Sequence, residues 1–134
     1  YVPVFADRRG VTGCAAPRLY QGPTGVMLHL PCHHHGTGNI NFESLYARQG
    51  GQWRERDIES WTFDLRERLP RGLEVWKGIY PDYARLTART PLWRPGDGNC
   101  CPTGGRADIT LAWQGERLVL RGFSVTRGEA AAQQ

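Results

Sequence analysis

Ile109-Thr110-Leu111-Ala112-Trp113-Gln114-Gly115-Glu116-Arg117-Leu118-Val119-Leu120 sets alternating aliphatic residues on both sides of a turn-forming pair. A period of two marks a strand buried on one face. Taking Gln114-Gly115 as a two-residue turn pairs Leu111 with Leu118 and Ile109 with Leu120. That register gathers four aliphatics on one face and sets Thr110 against Val119 and Ala112 against Arg117 on the other. A one-residue slip would scatter the aliphatics between faces. The chain is therefore a sheet protein, and its other segments must cover that apolar face.

Upstream, Leu73 to Ile79 reads as a strand that leads into Tyr80-Pro81-Asp82-Tyr83. A second strand follows, with Ala84, Leu86, Ala88 and Leu92 on one face and Arg85, Thr87 and Arg89 on the other. Phe42 to Asp57 reads as a hairpin, because Gly50-Gly51 can supply both positive φ values of a tight turn. Between these segments the period changes. Ile58, Trp61, Leu65 and Leu69 recur at helical spacing, Asp57 is the expected N-cap, and Pro70 with Gly72 ends the run. Val26 to Leu30 is a short apolar strand stopped by Pro31. Residues 1–24 read as a short edge strand at Val2, Val4 and Phe5 followed by irregular loop. The expected class is α+β: a mainly antiparallel sheet of short strands with one amphipathic helix at about 57–69. Residues 1–128 are expected to form a single exported domain and 129–134 a frayed tail.

The composition, 40% hydrophobic and 22% charged, is that of an ordinary folded chain and excludes wholesale disorder. No run approaches the ~18 apolar residues of a membrane span. A start at Tyr1 rather than Met is what a removed export signal would leave. The net charge of +4 draws the chain toward anionic surfaces without naming one.

The loop Arg94 to Gly105 holds two adjacent cysteines between turn formers. With Cys14 and Cys32 they allow three disulfide connectivities. Two of these tie Cys100 and Cys101 to the N-terminal pair; the third joins Cys14 to Cys32 and closes a ring between neighbours. Neighbouring Cα atoms stand ~3.8 Å apart, below the usual ~4.4–6.8 Å of a disulfide, so the ring is disfavoured by geometry. Gly96, Gly98, Gly104 and Gly105 relax the backbone around it. The run Asp97-Gly98-Asn99-Cys100-Cys101-Pro102-Thr103-Gly104-Gly105, followed by a strand-turn-strand, resembles a Cys-Cys-Pro loop in uncharacterised exported bacterial proteins. The resemblance spans about the last thirty residues. It implies export and cysteine pairing, and carries no catalytic residue across.

Cys32-His33-His34-His35 is the other concentration of reactive groups. Imidazoles and a thiolate suit copper or zinc. In an extended segment His33 and His35 share a face and His34 opposes them, so a site on His33, His34 and His35 needs a further ligand such as His29, Asp97 or a free cysteine. Glu43, Glu74, Asp82 and Asp97 could pair in space, but no spacing marks them as catalytic. Trp53, Trp76, Trp93 and Arg94 set aromatic rings beside basic groups and are the candidate contact surface.

These readings converge on a small periplasmic or secreted domain, a non-enzymatic binding or accessory subunit stabilised by disulfides. The expected partner is an envelope protein or an anionic envelope component, with no nucleic acid and no membrane span. The alternatives are a periplasmic copper- or zinc-binding protein using the histidine cluster, and a hydrolase with a pocket near Asp97.

Overall fold

The last hairpin forms, with its turn one residue further on than the alternation implied. In a computed structural model, which describes residues 13–14, 16–22, 25–33 and 43–128, β8 (Arg106–Gln114) and β9 (Arg117–Thr126) pair with Gln114 opposite Arg117. Gly115 has φ 63° at the first central position, where a type II′ turn takes glycine. A Gln114-Gly115 turn would have required that conformation of Gln114. The move shifts each pair by two residues, so Leu111 faces Leu120 and Trp113 faces Leu118. Because the shift equals the side-chain period, the four aliphatics stay on one face. A bulge opposite the Thr110/Leu111 step then leaves Arg121 unpaired and returns Ile109 to Phe123. On the other side of β8 lies β7 (Thr87–Pro91), giving the antiparallel order β7-β8-β9.

A second antiparallel sheet has the order β2-β3-β5-β6, from β2 (Arg18–Gly22), β3 (Gly25–Leu30), β5 (Ser44–Gln49) and β6 (Gln52–Glu55). Gly50 and Gly51 have φ 59° and 79°, so the Gly-Gly turn joins β5 to β6 as read from the sequence. Strand β2 was hidden in the stretch read as loop. It is an exposed edge whose one large aliphatic, Leu19, points to solvent at 67% exposure, so no apolar alternation announces it. Just beyond, β1 (Gly13–Cys14) and β4 (Cys32–His33) form a two-residue ladder that sets Cys14 opposite Cys32. Val2 to Phe5 and the tail from 129 lie outside the described residues.

The helix α1 spans Ser60–Arg68, shorter than the apolar period. Asp57 cannot start it, because its backbone is held in a parallel bridge to β9: its N–H donates to Glu116 O and its carbonyl accepts from Leu118 N. The Asp57 carboxylate instead takes the N–H groups of Glu59 and Ser60 at 3.0 Å each and turns the chain into the helix. The helix stops where expected, with Leu69 extended before Pro70. Trp61 and Leu65 are buried. Removing such side chains from water contributes about 1.5–3 kcal/mol each.

Leu73 to Ile79 is not a strand. Leu73, Val75 and Ile79 do alternate into the core, but among the described residues the only β-pairing of this segment is a single bridge from Glu74 to Trp93. The next strand is shorter than read. Residues 82–86 form a turn, with Leu86 at φ 57° and its N–H donated to Asp82 O, and β7 begins only at Thr87. The core lies between the inner faces of the two sheets, with Met27, Leu45 and Ala47 on one side and Ala107, Ile109, Leu111 and Leu118 on the other, and with Trp61, Leu65 and Tyr83 filling it. The chain is thus α+β, dominated by antiparallel sheet with one short helix. No helix among the described residues is long and apolar enough to cross a membrane.

Candidate functional site

The loop after β7 is built around Asp97. Its Oδ2 accepts from the N–H of Arg94 at 2.7 Å and of Thr103 at 2.8 Å, and the Thr103 hydroxyl donates to Oδ1 at 2.8 Å. The Arg94 N–H holds the carboxyl below its ordinary value; burial opposes this, and the two Thr103 bonds add to it. The carboxylate is therefore engaged by its own loop. Gly104 and Gly105 have a different task from the slack that the sequence suggested. A Cβ on Gly104 would sit 2.8 Å from Leu92 O, and one on Gly105, at φ 92°, would meet Thr126 O at 1.9 Å. These glycines let the loop close against β7 and β9, with Gly104 N donating to Leu92 O and Leu92 N to Gly105 O. At its exposed tip, Cys100 and Cys101 lie at disulfide distance with Cα atoms 3.7 Å apart.

Of the aromatic contact surface, Trp93 must be withdrawn. It is 1% exposed, with its indole N–H donated to Gly98 O at 3.2 Å. Trp76 stacks on it at 5.6 Å between centroids and donates its own N–H to Glu74. Trp53 lies half-buried on β6 and Arg94 half-buried at the start of the cysteine loop. The structure thus brings Trp76, Trp93 and Arg94 to one end of the molecule and leaves Trp53 on the other sheet. His34 and His35 lie outside the described residues, and His33 is placed only by its backbone in β4. Among the described residues no group of His, Cys, Asp and Glu could hold a metal ion.

A polar network that no motif marked lies at the rim of the core. His29 on β3, Glu43 just before β5 and Tyr83 in the turn before β7 meet there. His29 Nε2 donates to Glu43 Oε1 at 2.8 Å, and the Tyr83 hydroxyl donates to Glu43 Oε2. The side chains of His29 and Glu43 are 9% and 2% exposed. Burial first, and the Glu43 charge second, push the Tyr83 phenol far above its ordinary value, so it remains a donor. The Tyr20, His29 and Tyr83 rings pack together, His29 and Tyr83 edge to face at 4.9 Å. His29 Nδ1 is buried and has no hydrogen-bond partner among the described residues. One signal in the sequence pointed here: His29 has the parity of Met27, on the face of β3 that meets the core.

The network fixes the segment 80–83, and that segment walls an open groove of about 550 Å³ over β7 and β8. Tyr80 and Asp82 form the wall; Thr87, Arg89, Asp108 and Thr110 form the floor. On the floor, Arg89 Nε donates to Asp108 Oδ1 at 2.7 Å and Arg106 Nε to Asp108 Oδ2 at 3.1 Å. These two bonds hold the Asp108 carboxyl below its ordinary value. Compared with known proteins, the chain matches no family model, no curated protein and no solved structure.

Proposed function

We propose that this chain is a small extracytoplasmic domain, periplasmic or secreted, acting as a non-enzymatic binding or accessory subunit of the cell envelope. The observation that carries the reading is the Cys100–Cys101 pair, exposed and at disulfide distance. Exposed thiol pairs are kept reduced in a cytosol and persist as disulfides outside it. The backbone register that sets Cys14 opposite Cys32 supports a second bond of the same kind. The net charge of +4 favours an anionic envelope component or an acidic face of an envelope protein as partner.

The test is thiol trapping and peptide mapping of the chain taken from fractionated native cells. The expected result is recovery in the extracytoplasmic fraction, with Cys100 bonded to Cys101 and Cys14 to Cys32. Four free thiols, or recovery in the cytosol, would overturn the reading.

One observation favours the metal-binding alternative. Metal-ligating histidines commonly donate their second ring N–H to a carboxylate, and His29 does so to Glu43 while Nδ1 has no partner among the described residues. Stoichiometric zinc or copper binding, lost in His29→Ala and in the double variant His33→Ala, His35→Ala, is the expected result on that reading. Equal metal uptake by all variants would exclude it.

A further inference from the structure

Resting on the reading of the chain as a binding domain, we propose that the groove over β7 and β8 takes a neutral oligosaccharide. The groove lies within the ~300–1,000 Å³ range of small-molecule sites. Its wall presents Tyr80, 49% exposed, a flat ring suited to the apolar face of a pyranose. Its polar groups are held in place by one another. Asp82 Oδ1 accepts from the N–H groups of Ala84 and Arg85, leaving Oδ2 without a partner among the described residues. Arg89 is fixed through Nε by Asp108, which Arg106 fixes in turn, so the two terminal nitrogens of this groove-lining residue are donors with no partner among the described residues. A sugar hydroxyl both donates and accepts, and a carboxylate oxygen beside guanidinium nitrogens and threonine hydroxyls serves both roles.

Charge selects against the other occupants. The carboxylates of Asp82 and Asp108 offset the guanidinium of Arg89 and its neighbour Arg106, so the groove lacks the positive excess of the whole chain. An anion would meet two carboxylates in wall and floor. A peptide strand could not extend along β7, because that edge is closed at Thr87 by the bridge to Asp82 and beyond Pro91 by the Glu74–Trp93 bridge.

The experiment is an amide-resolved NMR titration of the full chain with maltotetraose, cellotetraose and chitotetraose, and with tetragalacturonate as the anionic control. At least one neutral tetrasaccharide is expected to bind with a Kd of about 1 mM or tighter. Its affinity should be equal at low and high salt, with shifts confined to residues 80–89 and 106–110. Tyr80→Ala should weaken it about tenfold or more, and Arg89→Gln should weaken it without changing the fold as read by the spectrum. Failure of all neutral probes at millimolar concentration overturns the proposal, as does tighter, salt-sensitive binding of tetragalacturonate. Shifts on the β2-β3-β5-β6 sheet overturn the groove and leave the binding reading standing. Recovery of the chain from the cytosol with free thiols defeats that reading instead.

Discussion

Asp97 shows how a residue singled out by type acquires its meaning from partners. In the sequence it was a carboxylate beside two cysteines; in the structure it ties Arg94 to Thr103 and closes the loop. Its depressed pKa, caused first by the Arg94 N–H, has a consequence for acid stability. A carboxyl held lower in the folded than in the unfolded chain stabilises the fold above about pH 4 and loses that contribution as the pH falls through the lowered value. Asp108 acts in the same direction through Arg89 and Arg106. So does Asp57, where burial raises the pKa but the Ser60 and Glu59 hydrogen bonds outweigh it. Denaturant midpoints should therefore be steady near neutrality and fall below about pH 4. Asp97→Asn should be less stable at neutral pH and show a shallower acid decline. An acid decline identical to that of the parent would refute the role given to Asp97. The neighbouring glycines carry the same lesson. Gly104 and Gly105 were legible as backbone freedom, but the need for it, a carbonyl of Leu92 and one of Thr126 in the space of a Cβ, comes from the ends of β7 and β9, which flank them in the sheet and lie far from them in sequence.

At the scale of elements, the sequence was legible wherever one segment determined its own geometry. The Gly50-Gly51 turn and the stop of α1 at Pro70 are such cases. The alternation of Ile109, Leu111, Leu118 and Leu120 is another, since it survived a two-residue change in pairing. Legibility failed where a second element decided the outcome. Leu73 to Ile79 carries a strand's alternation, yet among the described residues it makes one bridge, from Glu74 to Trp93, and no ladder. The onset of α1 is delayed because Asp57 belongs to the seam with β9. That seam also holds Arg56, 5% exposed at its side chain, whose Nη1 donates to Glu116 Oε1 at 2.8 Å and Nη2 to Gln49 Oε1 at 3.3 Å. Glu116 sits in the β8–β9 turn, so the pair links that hairpin to the other sheet. Glu116→Ala leaves a buried guanidinium short of one acceptor, which should cost about 1–3 kcal/mol. Glu116→Gln, which keeps an acceptor oxygen, should recover part of it. Urea denaturation measures both, and equal stability of Glu116→Ala and the parent would show that Arg56 finds water instead.

For the whole molecule, the informative contact is the one that joins the β2-β3-β5-β6 sheet to the segment feeding β7. Its members are 14 and 40 residues apart along the chain, and neither His29, Glu43 nor Tyr83 stands in a recognisable motif. No local pattern could have assembled them, whereas the cysteine and histidine clusters are contiguous in the sequence. The network's position gives it a mechanical role. Tyr83 follows directly on Tyr80 and Asp82, so the bond from its hydroxyl to Glu43 fixes the wall of the groove from behind. Tyr83→Phe keeps the ring packing and removes the donor to a buried carboxylate, a loss of about 1–3 kcal/mol. The released segment should also raise hydrogen exchange at the Leu86 and Thr87 amides, both of which donate to Asp82 O. Tyr80→Ala, at an exposed ring three residues earlier, should change global stability by no more than about 0.5 kcal/mol. The two variants thus separate holding the wall from forming it: the first loosens the segment and keeps every side chain that lines the groove, the second removes a lining ring and leaves the segment fixed. If Tyr83→Phe exchanges and unfolds like the parent, ring packing alone holds the 80–83 segment and the carboxylate is there for another purpose.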